Sequence, residues 1–182
     1  MKTILITVIC IIDVFVLIYA YYGGFRGINI NIKKVGGEMI VYEEIVGDYK
    51  QSGKVMDKIY TALLNDFGIE TFKGIGIYYD NPKKVQQSKL RSEAGCILEP
   101  EDAIFIQKIS ESFKIKELPK KEFITAEFPY KGKLSILFGI MKVYPAFTKY
   151  ISENGLKEDG YVMEVYDIPN KKILYRKEIV SE

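Results

Sequence analysis

Apolar positions fall into one long block at the start of the chain and then into short runs whose period switches between two and about 3.6. The block runs from Thr3 to Phe25 (TILITVICIIDVFVLIYAYYGGF) and is broken by charge only at Asp13. As a helix rising about 1.5 Å per residue it spans about 34 Å, enough to cross a bilayer. Its Ile, Leu, Val and Phe residues, at about −0.3 to −0.6 kcal/mol each, outweigh about +3 kcal/mol for one central carboxylate. A single-pass anchor is therefore expected over residues 1–26. The rival is a cleaved signal peptide with Ala20 at its end, but Ile18 is large for the position two before it, and Lys2 alone makes a thin basic leader. Cys10 follows Ile9, which is not the small residue a lipoprotein site needs. Tyr19, Tyr21 and Tyr22 suit an interfacial belt, and Gly23-Gly24 suits a hinge. Arg26, Lys33 and Lys34 against Lys2 favour a cytoplasmic domain. Asp13 at mid-span points either to a partner helix in the membrane or to a carboxyl tolerated in protonated form on a lone anchor.

After a linker over residues 27–37 the two periods alternate. Met39 to Val46 reads as a strand, and Lys50 to Phe67 carries Val55, Ile59, Leu63 and Phe67 at helical spacing, closed by Gly68. Lys73 to Tyr79 reads as a strand ended by Asn81-Pro82, and Gly95 to Leu98 as its partner. A helix is expected over Glu101 to Phe113, just after Pro100. The second half then gives a strand at Glu122 to Phe128, a helix around Leu134 to Ile151, a strand at Tyr161 to Tyr166 and a last strand at Lys172 to Arg176. Pro145 should kink its helix or begin a new segment. Tyr79-Asp80-Asn81-Pro82 and Tyr166-Asp167-Ile168-Pro169 share the pattern Tyr-Asp-x-Pro, and Gly68-Ile69 matches Gly155-Leu156 at the same offset. These matches predict a duplicated βαββ unit, with halves at about 38–99 and 120–180 of one domain at 38–182. The expected fold class is α+β: one antiparallel sheet, helices on one face, and a cleft along the pseudo-twofold axis.

Composition removes whole classes of function. The 182 residues less an anchor fill one domain. With 26 basic and 24 acidic residues, the net charge of +2 offers no field for nucleic acid. The absence of His removes the common triads and most zinc sites, so neither metal nor cofactor is expected. Cys96 has no partner outside the apolar block, so no disulfide framework forms within the domain.

What remains is a carboxylate and many phenols. In Tyr161-Val162-Met163-Glu164-Val165-Tyr166, alternation puts Glu164 on one face with Val162 and Tyr166. Buried in a cleft with Tyr79 and Tyr166 as walls, Glu164 would titrate high and act as an acid or hold a cation; on an open face it would be merely solvated. The 14 tyrosines, with no Trp, suit either a lined cleft or ordinary strands. Tyr49, Tyr130 and Tyr144 are the further candidates. Asp80 and Arg91 read as a pair closing the loop between strands.

Ile77-Tyr78-Tyr79-Asp80-Asn81-Pro82, with Lys89-Leu90-Arg91 and Gly95, resembles the GyrI-like (gyrase-inhibitor-like) small-molecule-binding domain family. Thr125 to Tyr130, Leu134-Ser135-Ile136, Val143-Tyr144-Pro145-Ala146 and Tyr150-Ile151 resemble its membrane-anchored branch, which includes an animal reticulophagy receptor. That receptor's role depends on a long disordered tail, which is not expected after the last strand here, so the role is not carried over. The resemblance implies a domain that binds hydrophobic or cationic drugs, inhibits gyrase or hydrolyses strained electrophiles. It also implies a buried Glu near the final strand, whereas Lys172 to Arg176 holds no carboxylate before Glu178.

The expectation is a membrane-anchored, regulatory and non-catalytic binding domain for a small apolar or cationic molecule. Its ligand contacts would be Tyr79, Glu164, Tyr166, Tyr130, Tyr144 and Tyr49. Its other partners would be the bilayer at residues 3–25 and a membrane protein reached through Asp13. A membrane-tethered protein-interaction adaptor is the alternative, and a hydrolase of reactive electrophiles comes third.

Overall fold

The computed structural model describes residues 2–180; residue 1 of the expected anchor and residues 181 and 182 of the expected domain lie outside it. The apolar block forms helix α1 (Lys2–Tyr21), which buries none of its residues against the rest of the chain over the apolar window. By length and composition this helix is long and apolar enough to cross a membrane, as an anchor or a signal sequence would be.

The domain follows as β1 (Asn31–Val35), β2 (Met39–Val46), α2 (Gln51–Phe67), β3 (Lys73–Tyr78), β4 (Arg91–Ile97), a one-turn helix α3 (Ile106–Ile109), β5 (Lys114–Glu117), β6 (Lys121–Pro129), α4 (Lys133–Glu153), β7 (Val162–Asp167) and β8 (Lys172–Glu178). The eight strands form one antiparallel sheet in the order β1-β6-β8-β7-β3-β4-β2-β5. Read outward from the β7–β3 pair, the order is the same in both directions, which is the pseudo-twofold expected of a duplicated unit. α2 buries Ile59 and Leu63 and is closed by Gly68 at φ 71°, a left-handed cap whose N–H groups take up the last carbonyls. α4 runs unbroken through Pro145 rather than restarting after it.

Two expectations are corrected together. Residues 31–35, expected as linker, are a strand paired with β6. Of the helix expected at Glu101 to Phe113, only a 3₁₀ stretch (Pro100–Phe105) and α3 are present, and β5 follows, paired with β2. The true repeat is therefore ββαββ, and each half lends its leading strand to the other. Both leading strands are short and rich in Lys, as sheet edges are, so hydrophobic period does not reveal them. Their exit segments meet: Gly37 N–H donates to the Leu118 carbonyl at 2.8 Å, and Leu118 N–H to the Glu38 carbonyl at 2.9 Å. Gly36 lies at φ 120° with Pro119 backbone where a Cβ would stand.

The crossing draws the ends of the sheet together. One core cluster (Ile40, Ile75, Ile77, Ile97, Leu118, Phe123, Met163, Val165) contains no helical residue, so the curved sheet covers this face with its own strands. The other face carries both helices. α4 packs Val143, Phe147 and Ile151 on Ile124, Phe128, Ile173 and Tyr175, and α2 packs Ile59 and Leu63 on Val41 and Cys96.

Candidate functional site

The helix-covered face is ordered in rows by the strand register. One row crosses five strands as Ala126, Tyr175, Glu164, Gly76 and Ala94. Alternation puts Tyr166 one step along β7 from Glu164, and Tyr78 one step along β3 from Gly76, on the same face. Glu164 is the centre of this face. Small residues on its β3 side clear room for large phenols: the Tyr78 hydroxyl lies 2.6 Å from where a Gly76 Cβ would be. Above the row, α4 presents Gly139 where any side chain would overlap the Tyr175 hydroxyl, and five residues on it presents Tyr144.

Glu164 is 1% exposed. One carboxylate oxygen accepts from the Tyr144 hydroxyl at 2.8 Å and the other from the Tyr166 hydroxyl at 2.6 Å. Burial raises its pKa above the ordinary glutamate value, and the two phenol hydrogen bonds pull only partly the other way. Among the described residues no ion pair reaches it. Lys177, two positions along β8 from Tyr175, donates instead to the carbonyls of Asp159 and Gly160 at 2.7 and 2.6 Å. Burial, then the Glu164 charge, raises the pKa of Tyr144, Tyr166, Tyr78 and Tyr175, so these phenols stay protonated as donors. The buried Tyr175 hydroxyl has no hydrogen-bond partner among the described residues.

The arrangement is thus a carboxyl in a cage of four phenols, with acceptor capacity and one donor unused. It is closed, since Tyr175 is fully buried and Tyr144 and Tyr166 lie across the carboxylate. The family resemblance implies a buried Glu near the last strand; here the carboxylate comes from the neighbouring β7, beside Tyr175 of β8.

Of the residues expected at the site, the structure brings together Glu164, Tyr166 and Tyr144. Tyr79 lies on the opposite face, next in the chain to Tyr78 but beside Tyr161 at 5.8 Å and Glu93, in the strand-only cluster. One residue of alternation separates the two faces, and β3 ends at Tyr78, so Tyr78 is the cage member. Tyr49 touches the cage only through Tyr78, at 4.9 Å between rings; its hydroxyl donates to the Asp80 carbonyl at 2.8 Å and braces the loop that Asp80 and Arg91 close. Tyr130 packs at the margin of the α4 core cluster. Tyr78 and Tyr175 are the members sequence reasoning missed. The signal for Tyr78 was present in Lys73 to Tyr78 (KGIGIY), where two glycines on one face of a strand mark room for something bulky. The Cys96 thiol, pushed up to about 11 by burial first, is an inert core group and no nucleophile.

The α1 segment ends against this domain. Tyr19 meets Phe138 of α4 edge to face at 5.4 Å, and Tyr22 meets it at a tilt at 6.0 Å. Lys131 donates to the Tyr21 carbonyl at 2.7 Å, and Lys142 donates to that of Gly24. The pair Gly23-Gly24, expected as a hinge, is a packed joint, with Gly24 buried.

Residues 29–179 match the GyrI-like small molecule binding domain family. Human testis-expressed protein 264 is 28% identical over 149 residues, which cover 74% of this chain and 45% of that protein. The mouse homolog is 30% identical over 125 residues, 64% of this chain and 38% of that one. The chain therefore spans less than half the length of these curated relatives. Among solved structures, the C-terminal domain of EcmrR gives a TM-score of 0.57 at 10% identity, covering 85% of this chain and 99% of that one. SAV2435 bound to tetraphenylphosphonium gives a TM-score of 0.52 at 8% identity, covering 84% and 94%. At such identities the likeness is one of fold.

Proposed function

Because the chain belongs to the family of GyrI-like small molecule binding domains, we propose that Glu164 and its phenol cage bind a lipophilic organic cation, in a domain that α1 holds at a membrane. The observation that carries this reading is the unpaired buried carboxyl. A buried carboxylate without a cation is costly, and a ligand that brings both a positive charge and apolar surface supplies what the fold leaves out. Tyrosine faces add attraction for a cation once water is excluded. A neighbour in fold, SAV2435, has been solved bound to a lipophilic cation, tetraphenylphosphonium.

Entry requires the cage to part, and Tyr144 is its movable wall. Pro145 follows it directly in α4 and leaves the Met141 carbonyl without its usual helical donor. The helix is softest beside the residue that must swing. A cation binds the ionised form of Glu164, so affinity rises with pH through the raised pKa of the free carboxyl and levels off above it.

Calorimetric titration of the full chain in detergent with tetraphenylphosphonium tests this. Binding is expected, with an affinity at least about tenfold weaker in Glu164→Gln, the loss of one charge-assisted contact. Equal binding by the variant would sink the assignment. A second reading, a membrane-tethered adaptor for a protein partner, is favoured by the closure of the cage and by Asp13 in α1. Absence of any binding by tetraphenylphosphonium would turn the interpretation to it.

A further inference from the structure

The half of α4 that meets α1 carries an apolar face turned away from the core. Ser135, Gly139, Val143 and Phe147 form the buried row of this helix. At about 100° per residue, Leu134, Leu137 and Met141 stand on the opposite side, and they are 44%, 52% and 61% exposed. Past Pro145 the same side turns polar, with Thr148 and Ser152. The pseudo-twofold mate provides the contrast: the outermost positions of α2 are Lys54, Asp57, Lys58, Thr61 and Asn65, with Tyr60 and Leu64 exposed at their margin, 36% and 40%. The two helices occupy equivalent places on the sheet, so packing alone does not explain the apolar face of α4.

What distinguishes α4 is its neighbour. Its exposed apolar half is the half on which the end of α1 is fixed, through Phe138 and Lys142. The exposed Phe25 and a recess between Ala20, Arg26, Pro129 and Lys131 continue the surface to the end of the apolar helix. Lys133 flanks the apolar row on one side; on the other side and at its head, Lys142 and Lys131 are bound to the Gly24 and Tyr21 carbonyls where α1 ends. This is the layout of a helix lying in a bilayer interface, with a long cationic side chain reaching to phosphates.

We propose that the first half of α4 lies in the surface of the bilayer that α1 enters, with Leu134, Leu137 and Met141 among the acyl chains and Lys133 at the lipid phosphates, while Lys131 and Lys142 hold the end of α1 beside it. The proposal rests on the reading of α1 as an anchor. It means that the domain is seated on the membrane rather than suspended from it. The helix that carries Tyr144 is then in contact with lipid, so an apolar cation dissolved in the bilayer surface reaches the cage without crossing water.

The test uses the full chain with Cys10→Ser, reconstituted in vesicles of phosphatidylcholine and phosphatidylserine. Single spin labels go on Ile9→Cys, Leu137→Cys, Met141→Cys and Asp57→Cys, and collisions are measured with dissolved oxygen, which favours lipid, and with a nickel chelate, which stays in water. Positions 137 and 141 should share the oxygen-rich, nickel-poor signature of position 9, with a ratio several-fold above that of position 57. Nickel access at 137 and 141 with position 9 in lipid would overturn this proposal and leave the anchor standing. Nickel access at position 9 would remove both. Labels at 137 and 141 shielded from both reagents would place a protein there, whether a second copy or a partner, and would equally refute lipid contact.

Discussion

A carboxyl buried among phenols makes the fold less stable as pH rises. The pKa of Glu164 in the folded chain lies above its ordinary value, so between those two pH values the folded state holds a proton that the unfolded state has lost. Stability therefore falls as pH rises through that window and levels off above it. Glu164→Gln should remove this component, giving a melting temperature that no longer falls across that window and is higher than that of the parent chain above it. Thermal melts of both chains from acid to neutral pH check it, and parallel curves would show that the carboxyl ionises without cost. The cage makes a second prediction at this scale. Gly139→Ala drives a methyl into the Tyr175 hydroxyl and should cost about 1–3 kcal/mol. Tyr175→Phe removes a buried hydroxyl that has no hydrogen-bond partner among the described residues, so by itself it should be neutral or stabilising by up to about 1 kcal/mol. Combined, the phenylalanine should recover part of the alanine's loss in denaturant unfolding; strict additivity would place the steric conflict elsewhere.

Among the elements, α4 serves the core, the cage and the surface beside α1 at once. Pro145→Ala restores a helical donor and should raise stability by about 1–3 kcal/mol. It should also slow the association of tetraphenylphosphonium in stopped-flow measurements, because Tyr144 then sits on a stiffer helix. Unchanged association would show that entry lies elsewhere. The long elements were legible in the sequence because each has a strong period: α2 from Val55, Ile59 and Leu63, and β7 from alternation about Glu164. The same alternation brought Tyr166 to the carboxylate correctly. Tyr79 shows the limit of that method. Alternation assigns faces within a strand, but the identity of a cage member turns on whether the strand ends at Tyr78 or at Tyr79, and no period fixes an end to one residue. Tyr175 was hidden for a different reason, since its role depends on the register between β7 and β8, a pairing of residues that sequence period does not address.

At the scale of the whole molecule, the duplication was legible from the repeated Tyr-Asp-x-Pro turns, while the exchange of leading strands was not. β1 and β5 carry too few apolar residues to announce themselves, and their partners lie in the opposite half of the chain. The exchange nonetheless closes the sheet, and its tightest point is testable. Gly36→Ala places a side chain against Pro119 backbone at φ 120°, so it should cost roughly 2–5 kcal/mol by denaturant unfolding. Gly37, whose nearest neighbour is the end of the Glu117 side chain at 3.9 Å, bears only the strain of its φ of 87° and should cost less as alanine. The exchange also sets a timetable. Asn31 pairs with Thr125, so β1 emerges from the ribosome and waits while more than 90 further residues are made. At about 5–20 residues per second that is roughly 5–20 s during which a lysine-rich strand next to the apolar helix has no partner. The first half cannot finish before the second has begun, and a nascent chain stalled before β6 would display an unpaired edge to whatever stands nearby.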